Sequence, residues 1–400
     1  MHREIPYSLG VADYPSNAMS LPSPSAPALA HSQTLVQHIA EHIQHHSGWI
    51  PFADYMQQAL YAPGLGYYSA GAAKLGAAGD FTTAPELSPL FGYSLAQQVA
   101  QVLQASGGDV LEIGAGSGKL ACDLLTELAA LDCLPAHYYI LEVSADLRAR
   151  QHTTLAATAS DWLARVVWLD TLPDSFSGCI FGNEVLDAMP VHLVHWREDG
   201  LFERGVGWEN GAFVWQDRPL AASLLHDTAS SLAIAPDYLS EINLAAAGFI
   251  NSLAQHLTCG TLLFIDYGFG AREYYHPQRN DGTLMCHYRH HAHADPFYLP
   301  GLQDITAHVD FSAIAVAGID AGLTLAGYTS QAQFLINCGI TDLLARTPAD
   351  DPARYLPQVT AVQKLMSPAE MGELFKVIAF TKGIEIPLLG FVQGDQSRRL

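Results

Sequence analysis

A glycine-rich turn between a short apolar strand and a helix is the feature that most constrains this chain. The apolar strand spans 109–113, and the run EIGAGSG from Glu112 to Gly118 carries the chain into a predicted helix over 119–131. Glycine at Gly114, Gly116 and Gly118 permits a tight turn and a close approach of backbone to ligand, at a helix N-terminus that favours electron-rich groups. The GxGxG spacing differs from the GxGxxG of dinucleotide-binding folds. A glycine-rich turn that binds nothing is the alternative.

Strands and helices alternate after this turn. Further strands are predicted at 138–141, 166–169, 178–181, 261–265, 323–328 and 375–381, and helices at 146–158 and 311–321. This alternation predicts an α/β fold, with a mostly parallel Rossmann-like sheet and helices on both faces. Residues 191–215 alternate aromatic and polar residues around two turns and predict an inserted β-hairpin. Residues 281–300 are polar and rich in histidine, and they predict an irregular segment.

Composition and periodicity divide the chain into four predicted parts. Residues 1–30 are rich in Pro, Ser and Ala and are expected to be disordered. Residues 31–106 form a helical region, with helices at 32–46, 51–60 and 88–103 and a Gly-rich lid loop at 64–79. Residues 107–382 form the core, with inserts at about 191–250 and 281–310, and residues 383–400 form a C-terminal tail.

Acidic residues end the next two predicted strands. Glu142 follows the strand at 138–141, and Asp170 follows the strand at 166–169. Because ligands of open α/β sheets bind at the carboxyl ends of the strands, Glu142 is expected to accept both ribose hydroxyl protons of a nucleotide-like cofactor, and Asp170 to contact the adenine amine. A solvated strand-end acid is the alternative for each, and it is the stronger alternative for Asp170.

The fourth strand leads into Asn183, Glu184 and Asp187, which are the candidate catalytic residues. Carboxylates pair with a guanidinium in a bidentate way, so Glu184 and Asp187 are suited to hold an arginine side chain. The alternative is structural, with Asp187 capping a following helix.

A second polar run precedes the core and is a candidate lid over the cofactor. It contains Asp80, Thr82, Thr83 and Glu86. A capped helix start is the alternative. Residue His308 is a candidate for the substrate groove, or else an ordinary packed histidine.

Metal, nucleic-acid and membrane functions are not expected. The His-rich run at 286–293 lacks a second ligand cluster, and the six cysteines are scattered without a CxxC pair, which indicates reduced thiols. The net charge of −21 disfavours nucleic acid and is consistent either with solubility alone or with a basic partner. No apolar run is long enough to span a bilayer. The N-terminus has neither a secretory signal nor an organelle presequence pattern, so a bacterial cytoplasmic location is expected ahead of the mitochondrial matrix.

Several separated motifs together resemble the MidA family of S-adenosylmethionine-dependent protein arginine methyltransferases, which is related to a mitochondrial assembly factor of respiratory complex I. The resemblance spans roughly residues 50–382. The matching runs are 66–68, 79–86, 112–118, 183–190, 266–268, 282–284, 300–301, 304–311 and 375–377.

The resemblance implies a class I methyltransferase fold with an N-terminal helical addition and an inserted hairpin. It implies S-adenosylmethionine as the methyl donor, held by the glycine loop and Glu142, with Asn183 and Glu184 on the substrate side. It also implies a protein substrate with an accessible arginine and, as a finer expectation, symmetric dimethylation. A small-molecule methyltransferase and a non-enzymatic assembly factor on the same fold are the alternatives.

Overall fold

A large, mostly parallel β-sheet organises the computed structural model, which describes residues 21–70 and 83–400. The strands within these residues are β1 (Trp49–Pro51), β2 (Asp109–Ile113), β3 (Tyr138–Leu141), β4 (Val166–Leu169), β5 (Phe176–Asn183), β6 (His192–Arg197), β7 (Gly200–Glu209), β8 (Ala212–Pro219), β9 (Tyr238–Ile242), β10 (Leu257–Phe269), β11 (Met285–Tyr288), β12 (His291–His293), β13 (Asp304–Thr306), β14 (Val309–Asp310), β15 (Thr324–Ser330) and β16 (Phe375–Lys382).

The α-helices within the same residues are α1 (Ala26–His45), α2 (Phe52–Tyr61), α3 (Ala84–Leu87), α4 (Pro89–Ser106), α5 (Lys119–Ala130), α6 (Ala145–Thr158), α7 (Leu224–Ser231), α8 (Leu244–His256), α9 (Ala271–Tyr274), α10 (Phe311–Asp320), α11 (Gln331–Asn337), α12 (Ile340–Ala345) and α13 (Pro352–Met366). Short 3-10 turns lie at Ser160–Arg165, Pro277–Arg279, Leu389–Phe391 and Ser397–Arg399.

The large sheet has the strand order β15-β16-β10-β5-β2-β3-β4, and β14 adds to one end of β10. The pairings from β10 to β4 are parallel, and β16 runs antiparallel to both of its neighbours. Apolar residues of α4 and α5 pack in one core cluster and those of α8 and α10 in another, on the two faces of the sheet. The predicted α/β fold is therefore confirmed, and the carboxyl ends of β2, β3 and β5 share one edge.

The predicted hairpin at 191–215 is part of a larger antiparallel sheet. Strands β6, β7 and β8 are joined by β9 on one side and by β1, from the N-terminal region, on the other. This inserted sheet ends at Ile242, because α8 begins at Leu244 and packs on the large sheet. The predicted insert limit near 250 therefore lies inside a core helix.

The prediction of an irregular segment at 281–300 is wrong over part of its length. Strands β11, β12 and β13 form a three-stranded antiparallel sheet over residues 285–306. Residues Cys286 and Tyr288 are buried, while the histidines of β11 and β12 are only partly buried. The alternation of buried and exposed residues that predicts a strand was hard to recognise here, because the strands are short and rich in polar histidines.

Both ends of the described chain are more ordered than expected. Helix α1 begins at Ala26, after the N-cap Ser25, so the predicted disorder extends too far over 26–30, while residues 1–20 lie outside the described ones. Residues Leu388 and Phe391 are buried in the core, so the segment predicted as a tail packs against the large sheet's helices.

One glycine lets the two central strands of the sheet approach. Gly178 in β5 has φ +130, and a Cβ placed on it would lie 1.9 Å from the carbonyl oxygen of Asp109 in β2. Any side chain at this position would separate the strands that carry the glycine loop and the candidate catalytic residues.

Candidate active site

A cavity of about 620 Å³ opens at the carboxyl edge of β2, β3 and β5. Its core side is lined by the glycine loop, by the residues after β3 and by the turn after β5. Its other walls come from α2 and the turn after it, from α3, and from β13. The site is therefore assembled from the Rossmann-like core and from the segments that precede and interrupt it.

The glycine loop contributes to the cavity through Gly114 and Gly116 but not through Gly118. All three adopt positive φ, at +67, +53 and +83 respectively. Gly118 does not line the cavity, and a Cβ there would lie 3.0 Å from the Cα of Gln151. Gln151 in turn donates to the carbonyl of Gly116 at 3.2 Å and to Glu142 at 3.1 Å. Gly118 thus serves the site by allowing α5 and α6 to pack closely.

Two buried carboxylates lie below and beside the loop. The hydroxyl of Tyr138 donates to Glu112 at 2.7 Å, and burial raises the pKa of Glu112 to about 8. Glu142 accepts from the backbone amide of Ser144 at 2.9 Å in addition to Gln151. Burial also raises the pKa of Glu142, while these hydrogen bonds oppose the shift. Both carboxylates line the cavity.

The structure does not bring Asp170 into the cavity. Its side chain is 87% exposed and accepts from the guanidinium of Arg148 at 2.7 Å. The expected contact with an adenine amine has no support in this geometry, because Asp170 points to solvent outside the cavity lining. The alternative, a solvated strand-end acid, describes it better.

The residues at this end of the cavity fit the adenosine part of S-adenosylmethionine. Val143 lines the cavity although it is 79% exposed, and Leu147 lies near it, so an apolar surface is available to a planar base. Glu142 offers carboxylate oxygens for ribose hydroxyls, and the glycine loop leaves room for the backbone to approach the ligand.

Glu184 stands on a strained turn directly after β5. It has φ +53, which a non-glycine residue rarely adopts. The side-chain amide of Asn183 donates to its Oε1 at 2.9 Å. Burial, followed by the charge of Asp187, raises the pKa of Glu184 to about 8, while Asn183 and the backbone amide of Ala84 favour its ionised form. The carboxylate lines the cavity.

Asp187 lies in the same turn and also lines the cavity. Its side chain is 5% exposed, and its Oδ1 has no hydrogen-bond partner among the described residues. Burial raises its pKa to about 6, and the neighbouring hydroxyl of Tyr267 opposes the shift. Since the turn leads to β6, Asp187 does not cap a helix. Asn183 also lines the cavity, and its buried Oδ1 lacks a partner among the described residues.

Asp266, at the end of β10, holds this turn in place. Its Oδ2 accepts from three consecutive backbone amides, those of Val185 at 3.1 Å, Leu186 at 2.8 Å and Asp187 at 3.3 Å. Its Oδ1 accepts from the amide of Tyr267 at 3.0 Å. The carboxylate is completely buried, so it fixes the unusual backbone that presents Glu184.

The lining residues that were not predicted as site residues include Tyr61, Tyr68 and Asp304. The hydroxyl of Tyr68 donates to Asp304, 3.0 Å from either oxygen, and the hydroxyl of Tyr61 donates to the carbonyl of Ala188 at 2.9 Å. The two tyrosine rings stack with centroids 5.5 Å apart. Tyr68 and Asp304 each belong to a run that matches the MidA family, which is the signal that could have identified them.

The candidate lid residues fall partly outside the described chain. Asp80 and Thr82 lie outside the described residues, while Thr83 and Glu86 line the cavity. The hydroxyl of Ser117 in the glycine loop donates to Glu86 Oε1 at 2.5 Å. Thr83 is the N-cap of the four-residue helix α3 but makes no side-chain capping bond, so the capped-helix alternative explains little.

His308 lies behind the cavity rather than in its wall. Its ring packs against Tyr267 and Phe269, with centroids 5.2 and 5.3 Å away. Burial lowers its pKa to about 4, so the ring is neutral. The expectation that it contributes to a substrate groove has no support in this position, and the packed-histidine alternative fits. Among the described residues, no group of His, Cys, Asp and Glu is placed to hold a metal ion.

The cavity carries acidic side chains in its lining and no basic ones among the described residues. Six carboxylates line it, those of Glu86, Glu112, Glu142, Glu184, Asp187 and Asp304. Among the described lining residues there is no Lys, Arg or His. Such a site favours cationic ligands. Within residues 21–70 and 83–400, no helix is long and apolar enough to span a membrane.

Comparison with known proteins relates the chain to methyltransferases over most of its length. It is 30% identical to the human protein arginine methyltransferase NDUFAF7, mitochondrial, across 83% of this chain and 80% of that protein. It is 29% identical to the zebrafish (Danio rerio) protein of the same name, across 86% of each. A COG1565 superfamily member from Burkholderia thailandensis, crystallised with S-adenosyl-homocysteine, is 54% identical, with a TM-score of 0.93 over 95% of this chain and 100% of that one.

The expectation of a bacterial cytoplasmic location is contradicted by these named relatives, since the human and zebrafish proteins are both mitochondrial. That expectation rested on the first residues of the chain. The first 20 residues, where neither a secretory signal nor a presequence pattern was found, lie outside the described residues.

A family of S-adenosyl-L-methionine-dependent methyltransferases, Methyltransf_28, matches residues 94–329, which is more than half of the chain. The matched region contains the glycine loop, Glu142 and the turn with Glu184, and it covers most of the cavity described above. The relative crystallised with S-adenosyl-homocysteine extends the agreement to nearly the whole fold. The chain belongs to this family of methyltransferases, with S-adenosylmethionine as its cofactor.

Proposed function

We propose that this enzyme methylates a guanidinium nitrogen of arginine in a protein substrate. The observation that carries the proposal is the carboxylate set on the substrate side of the cavity, where Glu184, Asp187 and Asp304 face a space with no cationic side chain among its described lining residues. The names of the human and zebrafish relatives, which are called protein arginine methyltransferases, support the same substrate.

The chemistry asked of the site is a displacement, in which the bound cofactor supplies an electrophilic methyl group. A guanidinium is planar and delocalised, and its nitrogen is a poor nucleophile unless it is held in line and its positive charge is localised away from the attacking atom. The Glu184 carboxylate can pair with two N–H groups of the guanidinium and hold its plane. The positive φ of Glu184 directs this side chain from the end of β5 into the cavity.

Asp187 is suited to take the proton that must leave the guanidinium. Formation of the nitrogen–carbon bond would break the sulfur–methyl bond of the donor and leave S-adenosylhomocysteine as a neutral thioether. One N–H proton then has to depart, so that the product is a singly charged methylguanidinium. Asp187 lines the cavity, and its buried Oδ1 has no hydrogen-bond partner among the described residues, so it can accept this proton. Its pKa of about 6 keeps it ionised at neutral pH. The nearby negative charge of Asp187 also strengthens the attraction of the site for a guanidinium.

The walls outside the core are suited to exclude water around the arginine side chain. The stacked rings of Tyr61 and Tyr68 offer an apolar surface, and their hydroxyls are engaged by Ala188 and Asp304. Aromatic faces attract cations as well as methylene groups. An arginine that reaches Glu184 would therefore pass along a surface complementary to both parts of its side chain.

The proposal is tested by methyl transfer into protein. The full chain is incubated with tritiated S-adenosylmethionine and an extract from cells that lack it. Acid hydrolysis of the protein fraction should release labelled methylarginine, and mass spectrometry should identify symmetric dimethylarginine, the product that the family resemblance implies. Glu184→Gln should abolish most of the label, whereas Glu198→Gln, an exposed residue in the turn between β6 and β7, should not.

Other outcomes of this experiment would overturn the proposal. Label confined to low-mass products would indicate a small-molecule methyltransferase. Label in protein on residues other than arginine would retain a protein methyltransferase but exclude the guanidinium. An active-site variant that complements the loss of the protein in cells, with no label transferred by the wild type, would indicate a non-enzymatic assembly factor.

A further inference from the structure

The segment that contains α3 lies between the cofactor loop and the candidate catalytic turn. Glu86 of this segment accepts from Ser117 in the glycine loop at 2.5 Å. Ala84 of the same segment is completely buried, and its backbone amide favours the ionised form of Glu184. The segment therefore covers the side of the cavity between β2 and β5, away from β3 and Glu142.

This placement determines which part of the cofactor the segment would meet. S-adenosylmethionine carries adenosine on one side of its sulfur and an amino acid, with an ammonium and a carboxylate, on the other. If the ribose lies at Glu142, beyond β3, the amino-acid part has to run toward β5, beneath α3. An ammonium taken out of water needs a carboxylate partner there.

Four acidic residues line this side of the cavity, and three of them have other roles. Glu112 is 2% exposed and is engaged by the hydroxyl of Tyr138. Glu184 and Asp187 are assigned to the proposed guanidinium and its proton. Glu86 is only partly buried, and its Oε2 accepts no hydrogen bond from the described residues, so this oxygen can receive an additional donor.

We propose that Glu86 binds the α-ammonium of the methyl donor, with Ser117 orienting its carboxylate. The choice of Glu86 rests on the proposed function, because that function assigns Glu184 to the guanidinium, but the test below concerns only the cofactor. The role of Glu86 makes α3 a part of the cofactor site contributed by the region before the Rossmann-like core.

The test is calorimetric titration of the full chain with two ligands that differ in the amino-acid part. S-adenosylhomocysteine carries the ammonium, and 5′-methylthioadenosine lacks the whole amino acid. Glu86→Gln should weaken S-adenosylhomocysteine by roughly 10- to 100-fold, because a charge-assisted bond is lost, and should leave 5′-methylthioadenosine unchanged. Retained binding of 5′-methylthioadenosine also shows that the variant is folded.

Ser117→Ala is the matched control, because it removes the hydrogen bond to Glu86 and leaves the carboxylate. It should change the ratio of the two affinities by no more than about fivefold, the effect of one ordinary hydrogen bond. A third ligand, decarboxylated S-adenosylhomocysteine, keeps the ammonium and should lose the same factor in Glu86→Gln.

Three results would overturn the proposal. Unchanged binding of S-adenosylhomocysteine to Glu86→Gln would exclude an ammonium partner. An equal loss of both ligands would mean that Glu86 supports the loop as a whole. A selective loss in Ser117→Ala as large as that in Glu86→Gln would mean that the hydrogen bond between α3 and the loop, rather than the charge of Glu86, determines the affinity.

Discussion

Replacing Glu184 by glutamine removes the charge on which the proposed substrate binding depends while it retains the shape of the side chain. Glutamine can still accept from Asn183, which donates to Oε1 at 2.9 Å in the wild type. What is lost is one partner of a desolvated ion pair with the guanidinium. Such a loss costs about 2 to 5 kcal/mol. A loss of about 3 kcal/mol in transition-state binding lowers kcat/KM by roughly 100-fold.

The pH dependence offers a second readout of the same variant. Burial and the charge of Asp187 raise the pKa of Glu184 to about 8, and only the ionised form pairs with a guanidinium. The kcat/KM of the wild type should therefore rise with pH and level off above about 8, since this parameter reports the free enzyme. Glu184→Gln should lose that rise and retain the lower one from Asp187, whose pKa is about 6.

The stability of the variant should change in the opposite direction to its activity. The pKa of Glu184 is raised from 4.5 in the unfolded chain to about 8 in the fold, so the native state favours the protonated form. This stabilisation is complete below pH 4.5 and is lost as the pH rises through 8. Glutamine stays neutral, so at pH 8.5 we expect the variant to be more stable, by roughly 1 to 3 kcal/mol.

Three measurements on Glu184→Gln and on the control variant Glu198→Gln test whether the charge of Glu184 binds the substrate. Initial rates of label incorporation give kcat/KM, titration with S-adenosylhomocysteine shows that the cofactor site is intact, and urea unfolding at pH 5 and pH 8.5 gives the stability. A Glu184→Gln enzyme within threefold of the wild type in kcat/KM, with its pH profile unchanged, would refute the reasoning. If the exposed control Glu198→Gln lost as much activity as Glu184→Gln, the reasoning would also be refuted.

Three further substitutions test the supports of the site. Asp266→Asn removes a carboxylate that accepts from four backbone amides, so urea unfolding should show a loss of about 3 kcal/mol, and an unchanged midpoint would contradict its role in holding the turn. Tyr68→Phe removes the hydroxyl that donates to Asp304, so KM for the protein substrate should rise about fivefold, while calorimetric titration should show unchanged affinity for S-adenosylhomocysteine. A loss of S-adenosylhomocysteine affinity with an unchanged KM for the protein would show that Tyr68 and Asp304 support the cofactor and not the substrate. Gly178→Ala would put a methyl group against the carbonyl of Asp109, so the free energy of unfolding should fall by about 4 kcal/mol or more, seen as a lower midpoint of thermal unfolding. A soluble variant of wild-type stability would show that β2 and β5 tolerate separation.

The sequence pattern of strands followed by glycine or acidic residues predicted the part of the site that the Rossmann-like core contributes. The glycine loop, Glu142, Glu184 and Asp187 each follow a strand, and the carboxyl ends of adjacent parallel strands meet at one edge. Strand periodicity and the acids that follow it are therefore enough to place these residues together. The same rule failed for Asp170, because β4 is the last strand on its side of the sheet and its end is open to solvent.

The other half of the site depends on contacts between residues far apart in the chain. Tyr68 and Asp304 are 236 residues apart in sequence, and neither stands at a periodic position that predicts their contact. The strand β13 that carries Asp304 has three residues, which is too short for an alternation to be detected. The helices α11, α12 and α13 were also missed; α11 and α12 are short, and α13 contains Pro357, which normally indicates a helix boundary.

The position of β16 has a consequence for how the protein is made in the cell. This strand, Phe375–Lys382, lies between β10 and β15, both of which are synthesised earlier. A ribosome releases residues in sequence order, so the growing chain carries an unpaired edge of β10 until residues 375–382 have been made. A shortened chain that ends before β16 would keep the glycine loop and Glu184 in its sequence but not the sheet that supports them. Until β16 is in place, the edge of β10 can pair with other strands, so this strand protects the sheet beneath the catalytic turn from incorrect pairing.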